Sequence, residues 1–134
     1  MANELAEGPP QPQEIKNPAD CFFRWVPDDF TKGPEHKLQP GAFGKERDID
    51  EGISFDWSRY STPRRTLERS TKPEIRAGVV KTTAGQMWDR ELNVRHAPET
   101  ANPAHSLVTG PSYTRIRKTL VEICTWEIEL PPDE

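Results

Sequence analysis

Hydrophobic residues in this chain come in short bursts separated by long polar and proline-rich stretches. The clearest burst is Ile53-Ser54-Phe55-Asp56-Trp57. A period of two predicts a half-buried strand, with Ile53, Phe55 and Trp57 inward and Ser54 and Asp56 outward. Phe22-Phe23-Arg24-Trp25-Val26 is aromatic and β-branched and is closed by Pro27, which predicts another strand. Gly78–Thr83 and Leu92–His96 read the same way, the second stopped by Pro98. A short strand over Ala104–Val108 is expected before Thr109-Gly110-Pro111. A last one is expected where Trp126, Ile128 and Leu130 alternate with Glu127 and Glu129.

The period changes in two places. Ile116, Leu120, Ile123 and Cys124 form the apolar stripe of an amphipathic helix that starts near Ser112. Thr62-Pro63 is an N-cap and first-turn pair, and it predicts a short helix ending by Lys72-Pro73, because a residue before proline is pushed out of the helical region. The expected fold is α+β: a small, mostly antiparallel sheet of about five short strands with one or two helices packed on one face.

Residues 1–19 hold Pro9, Pro10, Pro12 and Pro18, with only Leu5 and Ile15 as bulky apolar groups, and read as a flexible tail. Residues 20–130 are the expected compact domain, and 131–134 a polar end. Between Pro27 and Gly52 no period holds, so this stretch reads as an ordered wrap pinned by Phe30, Leu38 and Phe43, with a turn at Gly41-Ala42-Phe43-Gly44.

Composition narrows the function classes. Apolar residues are 33% of the 134, below the ~45–50% usual for globular domains even when the 8 glycines are added. The 14 prolines are about twice the usual share of ~5%. Trp25, Trp57, Trp88 and Trp126 sit near the apolar bursts and supply the large side chains that a small core needs. No apolar run is long enough to span a membrane, and residues 1–18 lack the basic start and apolar stretch of a secretory signal, so a cytoplasmic protein is expected. Cys21 and Cys124 lie far apart without CxxC or CxxH spacing and read as reduced thiols. His36, His96, His105, Cys21 and Cys124 do not have metal-ligand spacing, so no metal is expected, and no cofactor is implied. The chain has no GxxxxGK[ST], no GxGxxG opening a helix, no GxSxG and no HExxH.

Three readings of function remain. The leading one is a non-catalytic interaction module that docks a protein partner, within a setting such as a bacterial operon. It rests on the absent motifs and on the supply of tryptophan, tyrosine and arginine favoured at binding hot spots. The second is a small enzyme acting through the loop from Asn93 to His105. There Asn102-Pro103 favours a turn, and His96 and His105 could serve as general acid and base for phosphoester chemistry, with Arg24 assisting. Arg24 on a first strand, the Trp57-Ser58-Arg59-Tyr60-Ser61 segment and a later acid resemble the layout of ADP-ribosyltransferase-like folds, which implies a dinucleotide-gripping arginine; the Ser-Thr-Ser and paired-glutamate motifs are absent. The order of Phe-Arg-Trp, Gly-Ile-Ser-Phe-Asp-Trp and Asn-Pro-Ala-His also looks like that of small bacterial proteins, and implies no activity.

The third reading follows from charge. The net charge is −4, yet Arg59, Arg64, Arg65, Arg69, Lys72, Arg76 and Lys81 face only Glu68 and Glu74 within their segment, and Arg115, Arg117 and Lys118 cluster near a helix start. A basic face with Trp57 and Tyr60 for base stacking suits a nucleic acid. Pairing of these charges across the fold is the plainer expectation.

Overall fold

The structure is a computed structural model that describes residues 11–43, 52–69 and 75–130. Gly44 and part of the 27–52 wrap, the expected helix end at Lys72-Pro73, the first ten residues and the end at 131–134 lie outside the described residues.

The chain forms a small α+β fold. Six strands, β1 (Cys21–Pro27), β4 (Ile53–Trp57), β5 (Ala77–Thr83), β6 (Asn93–His96), β7 (His105–Thr109) and β8 (Thr125–Ile128), make one sheet in the order β6-β7-β4-β1-β5-β8. Every pairing in it is antiparallel. Two further strands, β2 (Thr31–Lys32) and β3 (Lys37–Leu38), form a separate ribbon inside the proline-rich wrap, and 3-10 turns cover Asp28–Phe30 and Pro40–Phe43. The two-residue strands of the β2–β3 ribbon are too short to show a period, which is why the pattern alone did not mark them.

Among the described residues the helices are α1 (Pro63–Glu68), α2 (Ala84–Trp88) and α3 (Tyr113–Ile123). Each begins on a side-chain cap. Thr62 accepts from Arg65 N with Pro63 in the first turn, and Ser112 accepts from Arg115 N. Thr83 and Gln86 form a reciprocal capping box on α2. That helix was not expected, because five residues are too few to display a helical period.

Alternation along the strands separates two faces. One carries Phe22, Val26, Ile53, Phe55, Trp57, Val80, Val94 and Val108 into a buried cluster with Met87 of α2, with Tyr113, Ile116 and Leu120 of α3, and with Leu38, Ala42 and Phe43 from the wrap. Leu38 and Phe43 thus pin the wrap, and Phe30 packs against the same cluster. Phe22 stacks on Trp57 and Phe43 on Phe55, each with centroids 6.2 Å apart. The opposite face carries Phe23, Asp56 and His105, since Phe23 pairs with Asp56 and Asp56 with His105. Helix α1 lies on this side, where Thr66 reaches Asp56.

Residues 11–19, read as part of the tail, and Asp20 beside them are tied to the domain. Gln13 N donates to His96 Nδ1, Gly85 N to Pro18 O and Ala84 N to Asp20 O, and Ile15 packs against the core cluster. Gly52 enters β4 at φ +102°, and a Cβ there would sit 2.8 Å from Val108 O, so only glycine fits.

Candidate functional site

The second face holds a cleft of about 370 Å³. It forms because β1 and β4 pair only at Phe22↔Trp57 and Phe23↔Asp56. Past those pairs the Ser54 carbonyl needs another donor, and Arg24 supplies it. Its Nη1 donates to Ser54 O at 2.7 Å and its Nε to Ala42 O at 2.8 Å, with the guanidinium 6.0 Å from the Phe43 ring centroid. Phe23 and Trp25 give the cleft apolar walls, while Thr66 and Arg69 of α1 stand on one side and Asn102 and His105 on the other.

Asp56 joins these pieces. Only 8% exposed, its carboxylate accepts from Thr66 Oγ1 at 2.8 Å and Arg69 Nη1 at 2.5 Å on one oxygen, and from Asn102 Nδ2 at 2.9 Å on the other. Strand β4, helix α1 and the turn before β7 are therefore fastened at a single side chain. The alternation placed Asp56 outward, and it does point away from the core, but α1 and the turn close over it.

The turn is tight. Glu99 and Asn102 exchange backbone hydrogen bonds at 3.0 Å each way, and Asn102 Oδ1 accepts from Ala104 N two residues on. Asn102 is thus held at both ends of its amide.

His105 follows. Its Nδ1 lies 2.9 Å from Ala97 O and its Nε2 3.2 Å from Ser54 Oγ. A carbonyl only accepts, so Nδ1 carries the proton and Nε2 accepts from the Ser54 hydroxyl, a tautomer assigned from its partners. Glu99 Oε2 is 3.8 Å from the same Nδ1.

His96 is elsewhere. It is in register with Ser106, and Ser106 with Phe55, so His96 points to the core face, and His105, one residue out of phase, points to the cleft. His96 is 3% exposed, stacked on Tyr60 at 5.2 Å and edge-on to Trp57 at 5.0 Å. Its Nε2 donates to Pro103 O at 2.7 Å, and its Nδ1 accepts from Gln13 N at 3.0 Å. The two imidazoles expected to act together lie on opposite sides of the sheet.

Comparison with protein-family models, with curated proteins and with solved structures finds no match. The chemistry available must therefore come from the side chains themselves.

Several of the arginines and lysines singled out in the sequence are engaged with acids, carbonyls or rings. Arg69 binds Asp56, Arg76 binds Asp28 at 2.8 Å and Lys81 binds Glu127 at 3.0 Å. Arg59 lies over the Trp57 and Tyr60 rings at 5.7 and 5.9 Å, which takes those two aromatics out of reach of a stacking base. Arg115 pairs with Glu91 at 3.5 Å, and Arg117 donates to Pro40 O and covers the Tyr113 ring. Arg64 and Arg65 are exposed on α1 and Lys118 lies in α3, so the expected basic residues do not gather into one patch with Trp57 and Tyr60.

Cys21 and Cys124 are free thiols, and burial pushes the Cys124 thiol far up from its ordinary value, which keeps it from acting as a thiolate. Among the described residues no cluster of three His, Cys, Asp or Glu could hold a metal ion, and no helix is long and apolar enough to cross a membrane.

Of the residues proposed from sequence, Arg24, Arg69, Asn102 and His105 line one cleft. Ser54, Asp56 and Thr66 join them there and were not singled out. A signal existed, since Ser54 and Asp56 are the two outward positions of the clearest strand. What gave them significance was the arrival of α1 and the 97–104 turn, which no local period encodes.

Proposed function

We propose that this chain is a cytoplasmic docking module that holds a protein partner through the cleft between α1 and the 97–104 turn. The observation that supports this best is the Asp56 node, which takes three hydrogen bonds from two separate elements and so fixes both walls of the recess before any partner arrives. A preformed recess loses little conformational freedom on binding. Aromatic walls with a few placed polar groups suit an inserted apolar side chain and its backbone, and about 370 Å³ lies at the small end of ligand-pocket sizes (roughly 300–1,000 Å³). Nucleic-acid binding is the weaker reading, because Arg69, Arg76 and Lys81 are each paired with an acid.

The test is affinity capture with the full chain and its Ser54→Trp variant in parallel. Ser54 is exposed, so the indole fills the cleft without breaking the core. One partner recovered by the natural chain and lost with the variant is the expected result. Equal recovery by both would place the interface elsewhere and end this reading.

A further inference from the structure

We propose a second activity for the same cleft, independent of partner docking: Ser54 is a nucleophile served by His105, and the cleft accepts small acyl esters. The case starts from the hydroxyl. A serine is a weak nucleophile unless a neighbouring base takes its proton. Ser54 is exposed on β4, and its Oγ lies 3.2 Å from His105 Nε2. The base is correctly prepared, because Ala97 O holds the proton on Nδ1 and leaves the Nε2 lone pair turned to the hydroxyl. Glu99 Oε2, 3.8 Å from Nδ1, places a negative charge behind the imidazole, where a positive charge develops as the proton moves. Phe23 and Trp25 line the same cleft and give an acyl chain an apolar wall.

The chemistry balances without any further reactant except water. Ser54 Oγ forms a bond to the ester carbonyl carbon while its proton passes to His105 Nε2. The tetrahedral adduct collapses, the carbon–oxygen bond to the alcohol breaks, and the Nε2 proton goes to the departing alkoxide. Water then attacks the acyl-serine, giving one proton to Nε2. That proton returns to Ser54 Oγ as the carboxylic acid leaves.

The experiment uses the full chain with a fluorophosphonate probe and with p-nitrophenyl acetate and hexanoate. The expected result is one phosphonyl adduct, mapped by mass spectrometry to Ser54 and lost in Ser54→Ala. In His105→Gln, which keeps the bulk of the ring, labelling and ester turnover should slow on the order of 10²-fold or more. Both substitutions lie at the cleft rather than in the core, and near-UV circular dichroism confirms that each variant folds. No adduct, an adduct elsewhere, or Ser54 labelling that is unchanged in His105→Gln overturns the proposal. Loss of partner capture has no bearing on this readout, so the two proposals fail separately.

Discussion

On the face of the sheet that holds Trp57, the strands present Phe22, Val26, Phe55 and Val108 to helices that answer with Met87, Ile116 and Leu120, and His96 is sealed among rings. On the face that holds Asp56, the same strands present an aspartate, a serine and a histidine, and the covering elements answer with Thr66, Arg69 and Asn102. The first face is held by non-directional burial, which accepts many detailed packings. The second is held by hydrogen bonds that need one geometry. His96 and His105 mark the contrast: nine residues apart in sequence, one braces the interior and the other looks into an open cleft.

The sharpest way to break this contrast is to damage each face in turn. Trp57→Ala removes a side chain 1% exposed that stacks on Phe22 and donates through Nε1 to Asp20 Oδ2 at 3.1 Å. A loss of about 3–5 kcal/mol is expected, most of the stability of a domain at the low end of the usual ~5–15 kcal/mol. Urea titration followed by circular dichroism measures it, and a folded variant within ~1 kcal/mol of the natural chain would contradict the placement of the core.

Asp56→Ala should cost less and act locally. Three donors lose their acceptor, but they face a cleft that water can enter, so about 2 kcal/mol is expected instead of the full penalty of sealed, unpaired groups. The informative readout is hydrogen exchange. The Ala104 amide, held by Asn102 Oδ1, should lose protection while the amides of α3 keep theirs. Uniform loss across both regions would mean that the two faces unfold as one.

The same difference explains what was legible beforehand. Ile53, Phe55 and Trp57 announce their side of β4 by alternation, and Ile116 and Leu120 announce the buried side of α3, because apolar burial leaves a period that any reader of the chain can see. Thr62 and Ser112 mark helix starts for a local reason, a side-chain oxygen three residues from an amide. Asp56 has no such signature. Its partners sit 10, 13 and 46 residues away, and nothing local tells an aspartate in that strand that it will be covered. The two histidines failed to meet for a parity reason: the count of residues through the 97–104 turn decides which face each takes, and one residue more or less would have reversed it.

The smallest effect expected separates the cleft face into its closed and open parts. Lys81 shares the side of Phe23, its register partner in β1, and its ammonium lies 3.0 Å from Glu127 with both side chains more than a third exposed. The hydrogen bond to Glu127, then the charge of that carboxylate, raise the Lys81 ammonium above its ordinary 10.5. A raised folded value means that the pair stabilises fully below the unfolded lysine range and is lost as pH climbs through the folded one. In so open a setting the contribution should stay under about 1 kcal/mol. The stability gap between the natural chain and Lys81→Met, read by urea at pH about 8 and again above about 11, should therefore be small at the first and vanish at the second. Added salt should shrink it at pH about 8 while leaving the Asp56→Ala deficit nearly unchanged, because screening reaches exposed charges and spares half-buried ones. Equal salt sensitivity of the two would show that Asp56 lies as open to solvent as Lys81, and the fixed cleft wall would lose its anchor.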